Sequence, residues 1–142
     1  IPVAAATIYL QQLYGIKYLL AAATIILTII AIPLSSFFEK IYNEKDPHKI
    51  VIDEMVGYFF SILFFNFSFN GYPIITDAAY LKFYLKFFIL SFLLFRMFDI
   101  LKIFPINLSQ KLPAGWGIVI DDIIAGIYAN IILQLIFKFK LL

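Results

Sequence analysis

Residues 18–38 read YLLAAATIILTIIAIPLSSFF, twenty-one consecutive residues without a charged side chain. A helix needs about 20 apolar residues to cross ~30 Å of hydrocarbon, so this stretch reads as a membrane span. The pattern recurs outward from it. Residues 55–76 are again uncharged, and residues 123–137 are too, extended by the apolar residues around Ile118. Residues 83–95 hold only Lys86, near one end, where a lysine can snorkel to the headgroups. Residues 1–16 carry no charge, although Gly15 closes them early. The expectation is an all-α integral membrane bundle of about five transmembrane or re-entrant helices, near 1–14, 17–38, 49–67, 78–102 and 118–138. It forms one domain over 1–142, with its polar site at one membrane face.

Composition agrees. Hydrophobic residues are 63% of the 142 and charged residues 14%, against roughly 45–50% and 25% in soluble chains, so a water-facing surface could not be covered. That excludes a soluble α/β enzyme, a disordered chain and a polar nucleic-acid module. A net charge of +2 is too small for a nucleic-acid footprint. There is no cysteine, hence no disulfide frame, thiolate nucleophile or Cys-ligated metal, and the single His48 excludes chemistry that needs two histidines.

The first segment lacks a basic n-region and does not read as a signal peptide; its uncharged start at Ile1-Pro2 reads as a chain whose beginning is missing. Pro33 should kink its helix or end the regular part early. NFSFNGYP at 66–73 reads as a compact turn. No internal repeat or low-complexity tract stands out. Lysine and arginine divide almost evenly between the two sides, so the positive-inside rule favours neither orientation.

The acidic residues are more informative. Six of the nine fall in three short clusters: Asp46, Asp53 and Glu54 in DPHKIVIDE, Asp99 in LFRMFDILK, and Asp121 with Asp122 in GWGIVIDD. A hairpin of the third and fourth segments, and a loop back to the fifth, would bring all three clusters to one membrane side. Charged groups are costly within a bilayer and usually mark function or a paired interior site. Arg96, Asp99 and Lys102 follow each other at i, i+3 on one helix face. Asp53, Gly57 and Ser61 recur every fourth residue, and Asp122 and Gly126 repeat that spacing. Small residues let membrane helices approach closely, which would set the carboxylates above a tight helix junction.

Converging carboxylates without His or Cys suit a hard, oxygen-seeking cation, most naturally Mg²⁺. Arg96 offers a planar fork for phosphate and Lys102 a point charge. Gly115 and Gly117, just before a helix, could present backbone N–H groups to an anion. The combination points to metal-assisted chemistry on a lipid phosphate. A plainer reading stands beside it. Asp53, Glu54, Asp121 and Asp122 could be charges that meet helix N-terminal dipoles. His48, Glu39 and Glu44 read as solvated loop residues, and the Phe and Tyr stretches as lipid-facing or core packing.

At the three clusters the chain resembles the phosphatidylglycerophosphatase A family, through DPHKIVIDEMVG (46–57), LFRMFDILKIFPI (94–106) and GWGIVIDDIIAG (115–126) in that order. The resemblance implies Mg²⁺-dependent hydrolysis of phosphatidylglycerophosphate to phosphatidylglycerol, the step before cardiolipin. It also implies a multi-pass protein of the bacterial inner membrane whose site faces the cytoplasm. Two departures are Ile103, where members usually have proline, and Ala114, where members usually have a first glycine. The family's upstream Pro-Gly-Thr…Gly-Ser stretch is absent, which suggests a missing N-terminal motif segment.

In this reading Asp53, Glu54, Asp121 and Asp122 hold one or two Mg²⁺. Arg96 and Lys102 grip phosphate oxygens, helped by Gly115 and Gly117, and Asp99 ligates metal or orients Arg96. Asp46 helps deprotonate an attacking water; a covalent aspartyl-phosphate is the alternative. Substrate and membrane lipids are the partners, and the small-residue helix faces allow a homodimer. The rival class is an ion or metabolite transporter that uses the carboxylates as a cation path. Its sites usually lie at mid-bilayer between matched helix breaks, which this chain does not show.

Overall fold

A computed structural model of the chain describes residues 17–44, 51–63, 78–109 and 111–139, and among these described residues five helices account for the regular structure. They are α1 (Lys17–Tyr42), α2 (Ile52–Leu63), α3 (Ala78–Leu101), α4 (Ile106–Ser109) and α5 (Gly115–Lys138). No strand occurs among the described residues. The all-α expectation is met. The helix expected at 1–14 and the turn at 66–73 lie outside the described residues.

Pro33 does not end its helix, because α1 runs through it to Tyr42. Three hydroxyls bond back into the α1 backbone: Thr24 Oγ1 donates to the Leu20 carbonyl at 2.7 Å, Thr28 Oγ1 to Thr24 at 2.8 Å and Ser36 Oγ to Ile32 at 2.8 Å. Such bonds satisfy hydroxyls where water is scarce. The return from α3 to α5 is not a plain loop, since it contains the one-turn α4. α5 begins at Gly115 and not near 118.

α5 is the hub. It packs against each of the other four helices, most extensively against α2. Phe95 and Ile106 pack with Ala125 and Ala129; Ala31 and Val56 with Val119; Phe87 with Leu133. α5 therefore contributes to each of these clusters, and its Ala125 and Ala129 are small residues that let neighbours approach. The exterior is apolar instead of polar, with Ile25, Ile26, Ile29 and Ile30 of α1 all exposed. Two helices, Tyr18–Tyr42 and Gly115–Lys138, are long and apolar enough to cross a membrane. An exposed apolar stripe of this extent on a 26-residue helix is suited to lipid and not to water.

Candidate active site

The site is assembled from the start of α2, the end of α3 and the second turn of α5. Asp53 and Glu54 lie in the first turn of α2, where free N–H groups and the helix dipole favour carboxylates. Asp53 is buried, at 5% exposure. Glu54 points to α3, where its Oε1 lies 2.8 Å from Arg96 Nη1. The same nitrogen donates to Asp99 Oδ2 at 3.0 Å, across the i, i+3 spacing read in the sequence. One guanidinium thus ties α2 to the last turn of α3.

Beyond Leu101 the chain turns through Lys102, which adopts a left-handed φ of 44° while its N–H donates to the Phe98 carbonyl at 3.0 Å. That places its side chain over α5, with Nζ donating to Asp121 Oδ2 at 3.1 Å. Asp121 and Asp122 are both buried. Asp122 faces Asp99 within hydrogen-bond reach and has Asp53 and Asp121 as its other charged neighbours. Adjacent residues of one helix thus do different work: Asp121 receives the lysine and Asp122 meets the other carboxylates.

Neither aspartate of α5 is an N-terminal charge. α5 starts at Gly115 and has no acidic residue in its first turn. Asp121 is six residues further on, about 9 Å along the axis at 1.5 Å per residue, beyond the reach of the terminal dipole. The plainer reading therefore survives for Asp53 and Glu54 and not for Asp121 and Asp122.

The glycines expected to cradle phosphate are otherwise engaged. Gly115 N–H donates to Ser36 Oγ at 2.9 Å, and Gly117 N–H to the Ala114 carbonyl at 3.2 Å. A Cβ on Gly115 would run into the Ile32 carbonyl oxygen and lie 2.5 Å from Ser36 N, so close helix packing explains that glycine. In this arrangement neither N–H is available to an anion. Asp46 and His48 lie outside the described residues. An open cleft of about 520 Å³ near Ser36, Lys40 and Lys111 is lined by none of Asp53, Glu54, Asp99, Asp121 and Asp122.

Five carboxylates (Asp53, Glu54, Asp99, Asp121 and Asp122) against Arg96 and Lys102 leave an excess of negative charge. The donor set is all oxygen, which fits a hard divalent cation. Among the described residues no three acidic or histidine side chains already form a metal cage. Mg²⁺ does not require one, since it is commonly held by one or two carboxylates with waters and substrate phosphate. Sequence reasoning missed Ser36 and Asn130. Asn130 Nδ2 donates to the Ser61 carbonyl at 2.8 Å, and its position eight residues after Asp122 was a legible signal.

A family model described as phosphatidylglycerophosphatase A matches residues 2–137. The chain belongs to the phosphatidylglycerophosphatase A family. Within it, a Haemophilus influenzae protein named phosphatidylglycerophosphatase A is 41% identical over 88 residues, covering 61% of this chain and 45% of that protein. A Bacteroides thetaiotaomicron protein, provisionally named a phosphatidylinositol-3-phosphatase, is 28% identical over 125 residues, covering 88% of this chain and 70% of that one. The chain thus spans less than half the length of its Haemophilus relative in the phosphatidylglycerophosphatase A family. No solved structure gives a significant match.

Proposed function

We propose that this protein hydrolyses the terminal phosphate monoester of phosphatidylglycerophosphate, releasing phosphatidylglycerol and inorganic phosphate. The supporting observation is the meeting of Asp53, Asp99, Asp121 and Asp122 with Arg96 and Lys102 from three elements, in a chain of this family. Phosphoryl transfer asks mainly for positioning and charge neutralisation, and this set supplies both. Arg96 and Lys102 bind the non-bridging oxygens. Their side chains are 33% and 30% exposed, so an incoming phosphate can exchange places with the Glu54, Asp99 and Asp121 carboxylates. Asp53 and Asp122, with Asp99 or Asp121 beside them, would hold Mg²⁺, which supplies further charge neutralisation at the phosphate. A carboxylate, proposed as Asp46 from its place in the first motif, takes the proton of the attacking water. The phosphorus–oxygen bond to glycerol breaks, and the proton passes to the departing glycerol oxygen.

The full proposal is a multi-pass bundle of about five helices in a bacterial inner membrane, with its site at the cytoplasmic face. Acyl tails stay in the bilayer and only the headgroup enters. The product would feed cardiolipin synthesis. Family membership, together with paired cations among the carboxylates, favours hydrolysis over the transporter class.

The test is phosphate release by the full-length protein in detergent micelles, with Mg²⁺ or with chelator. Phosphatidylglycerophosphate and a phosphatidylinositol 3-phosphate are supplied in parallel. Expected are Mg²⁺-dependent release from the first and a loss on the order of 10²-fold in Asp53→Asn and Asp122→Asn. Release from the inositol lipid alone would reassign the substrate, and release from neither would sink the proposal.

A further inference from the structure

Asp53 and Asp122 sit on different helices, so their separation depends on how closely those helices approach. The contacts between α2 and α5 follow one order along both chains: Asp53 neighbours Asp122, Gly57 touches Gly126, and Ser61 accepts from Asn130 at 2.8 Å. The two helices therefore run parallel and in register, each with a carboxylate, a glycine and a polar residue at four-residue intervals.

The middle contact leaves no slack. A Cβ on Gly126 would run into the Gly57 carbonyl oxygen and lie 2.9 Å from Phe60 Cβ. A Cβ on Gly57 would lie 2.6 Å from the Asp122 carbonyl oxygen and 2.5 Å from Phe95 Cε2. Carbonyl oxygens inside helices move only with the helix. One extra methyl must then part the backbones by on the order of 1 Å to reach ordinary contact distances. Asp53 and Asp122 are one turn away, about 6 Å along each axis, and would move with them.

We infer that the crossing of Gly57 and Gly126 is a positioning device that sets the spacing of the Asp53 and Asp122 carboxylates for the group they hold. The inference rests on the phosphatase reading for its effect on turnover. Gly57 and Gly126 touch no substrate and act through the two aspartates. A misplacement of about 1 Å can cost about 10²-fold in rate, whereas a fault in packing alone lowers the folded fraction and leaves the folded molecules active.

Two arms test this on the full-length protein. In the first, Gly126→Ala should lower kcat on the order of 10²-fold with KM within about threefold, while Asn130→Ala, which loosens the same interface beyond the glycines, costs less than tenfold. Activity that falls only in proportion to the folded fraction overturns the inference. The second arm needs no turnover and uses the absence of cysteine from residues 1–142. Asp53→Cys with Asp122→Cys should cross-link readily under mild oxidation, and adding Gly126→Ala should slow this about tenfold. Failure of the parent pair to cross-link overturns the inference even where the alanine variant does not accumulate, and so does an unchanged rate in the variant. No phosphate release from the unsubstituted protein would instead sink the phosphatase reading and leave the cross-linking arm to decide the crossing.

Discussion

Ala114 stands just before α5 at φ 52° and ψ −155°, a backbone region that is comfortable for glycine and strained for a residue with a Cβ. Its methyl side chain cannot cap the helix and so offsets none of the strain. Ala114→Gly should therefore stabilise the protein by about 1 kcal/mol, the order of the left-handed penalty. A rise in thermal midpoint in detergent checks this, and a fall would show that the alanine is accommodated without strain. Lys102 shares the left-handed conformation, with a different outcome. There the turn carries the side chain that reaches Asp121, so glycine would relieve the backbone and remove the ion pair.

At the scale of elements, the Lys102–Asp121 contact ties the end of α3 to α5 across 3.1 Å. Asp121 is the buried partner, with its side chain 4% exposed, while Lys102 is 30% exposed. Removing the lysine takes a positive charge away from a buried carboxylate that lies next to Asp122, although solvent at the lysine moderates the loss. Lys102→Met and Asp121→Asn should each cost roughly 1–2 kcal/mol, and the double variant should fall short of the sum by more than 0.5 kcal/mol. Denaturation midpoints of the four proteins close the cycle; strict additivity would deny the coupling. Elements were also where sequence reading went furthest. Charge-free runs and apolar length located α1, α3 and most of α5, and the i, i+3 and i, i+4 spacings named both ends of the Arg96–Asp99 bond and the faces that meet at Gly57 and Gly126. Local spacing could not say that Glu54 takes Arg96, or that Asp121 and not Asp122 takes Lys102. Those choices depend on the rotation of one helix against another, and neighbouring helix residues point about 100° apart. Nor did it choose between a kink and an early end at Pro33, which α1 runs through, because a proline's tolerance inside a helix depends on what packs around it.

For the whole molecule, the inside holds buried carboxylates and small residues beside Phe87, Phe95, Ile106 and Leu133, while the exposed side chains include many further isoleucines, leucines and phenylalanines. Ile29, 64% exposed on α1, belongs to the apolar surface that the proposed bundle would turn to lipid. Ile29→Lys should cost about 2.5–3.5 kcal/mol on insertion scales and sharply reduce the membrane-integrated fraction. Alkaline carbonate extraction of membranes measures that fraction, and an unchanged yield would place Ile29 in water. The amino-acid sequence alone determined that the described residues are helical, and that the chain is predominantly apolar and equipped with three acidic clusters, since composition and short-range spacing are local properties. Tertiary structure alone decided which carboxylate meets which cation, that the α5 aspartates lie inside the helix and away from its end, and that Gly115 serves packing. Those outcomes follow from close approach between distant segments, whose register and rotation no local pattern contains.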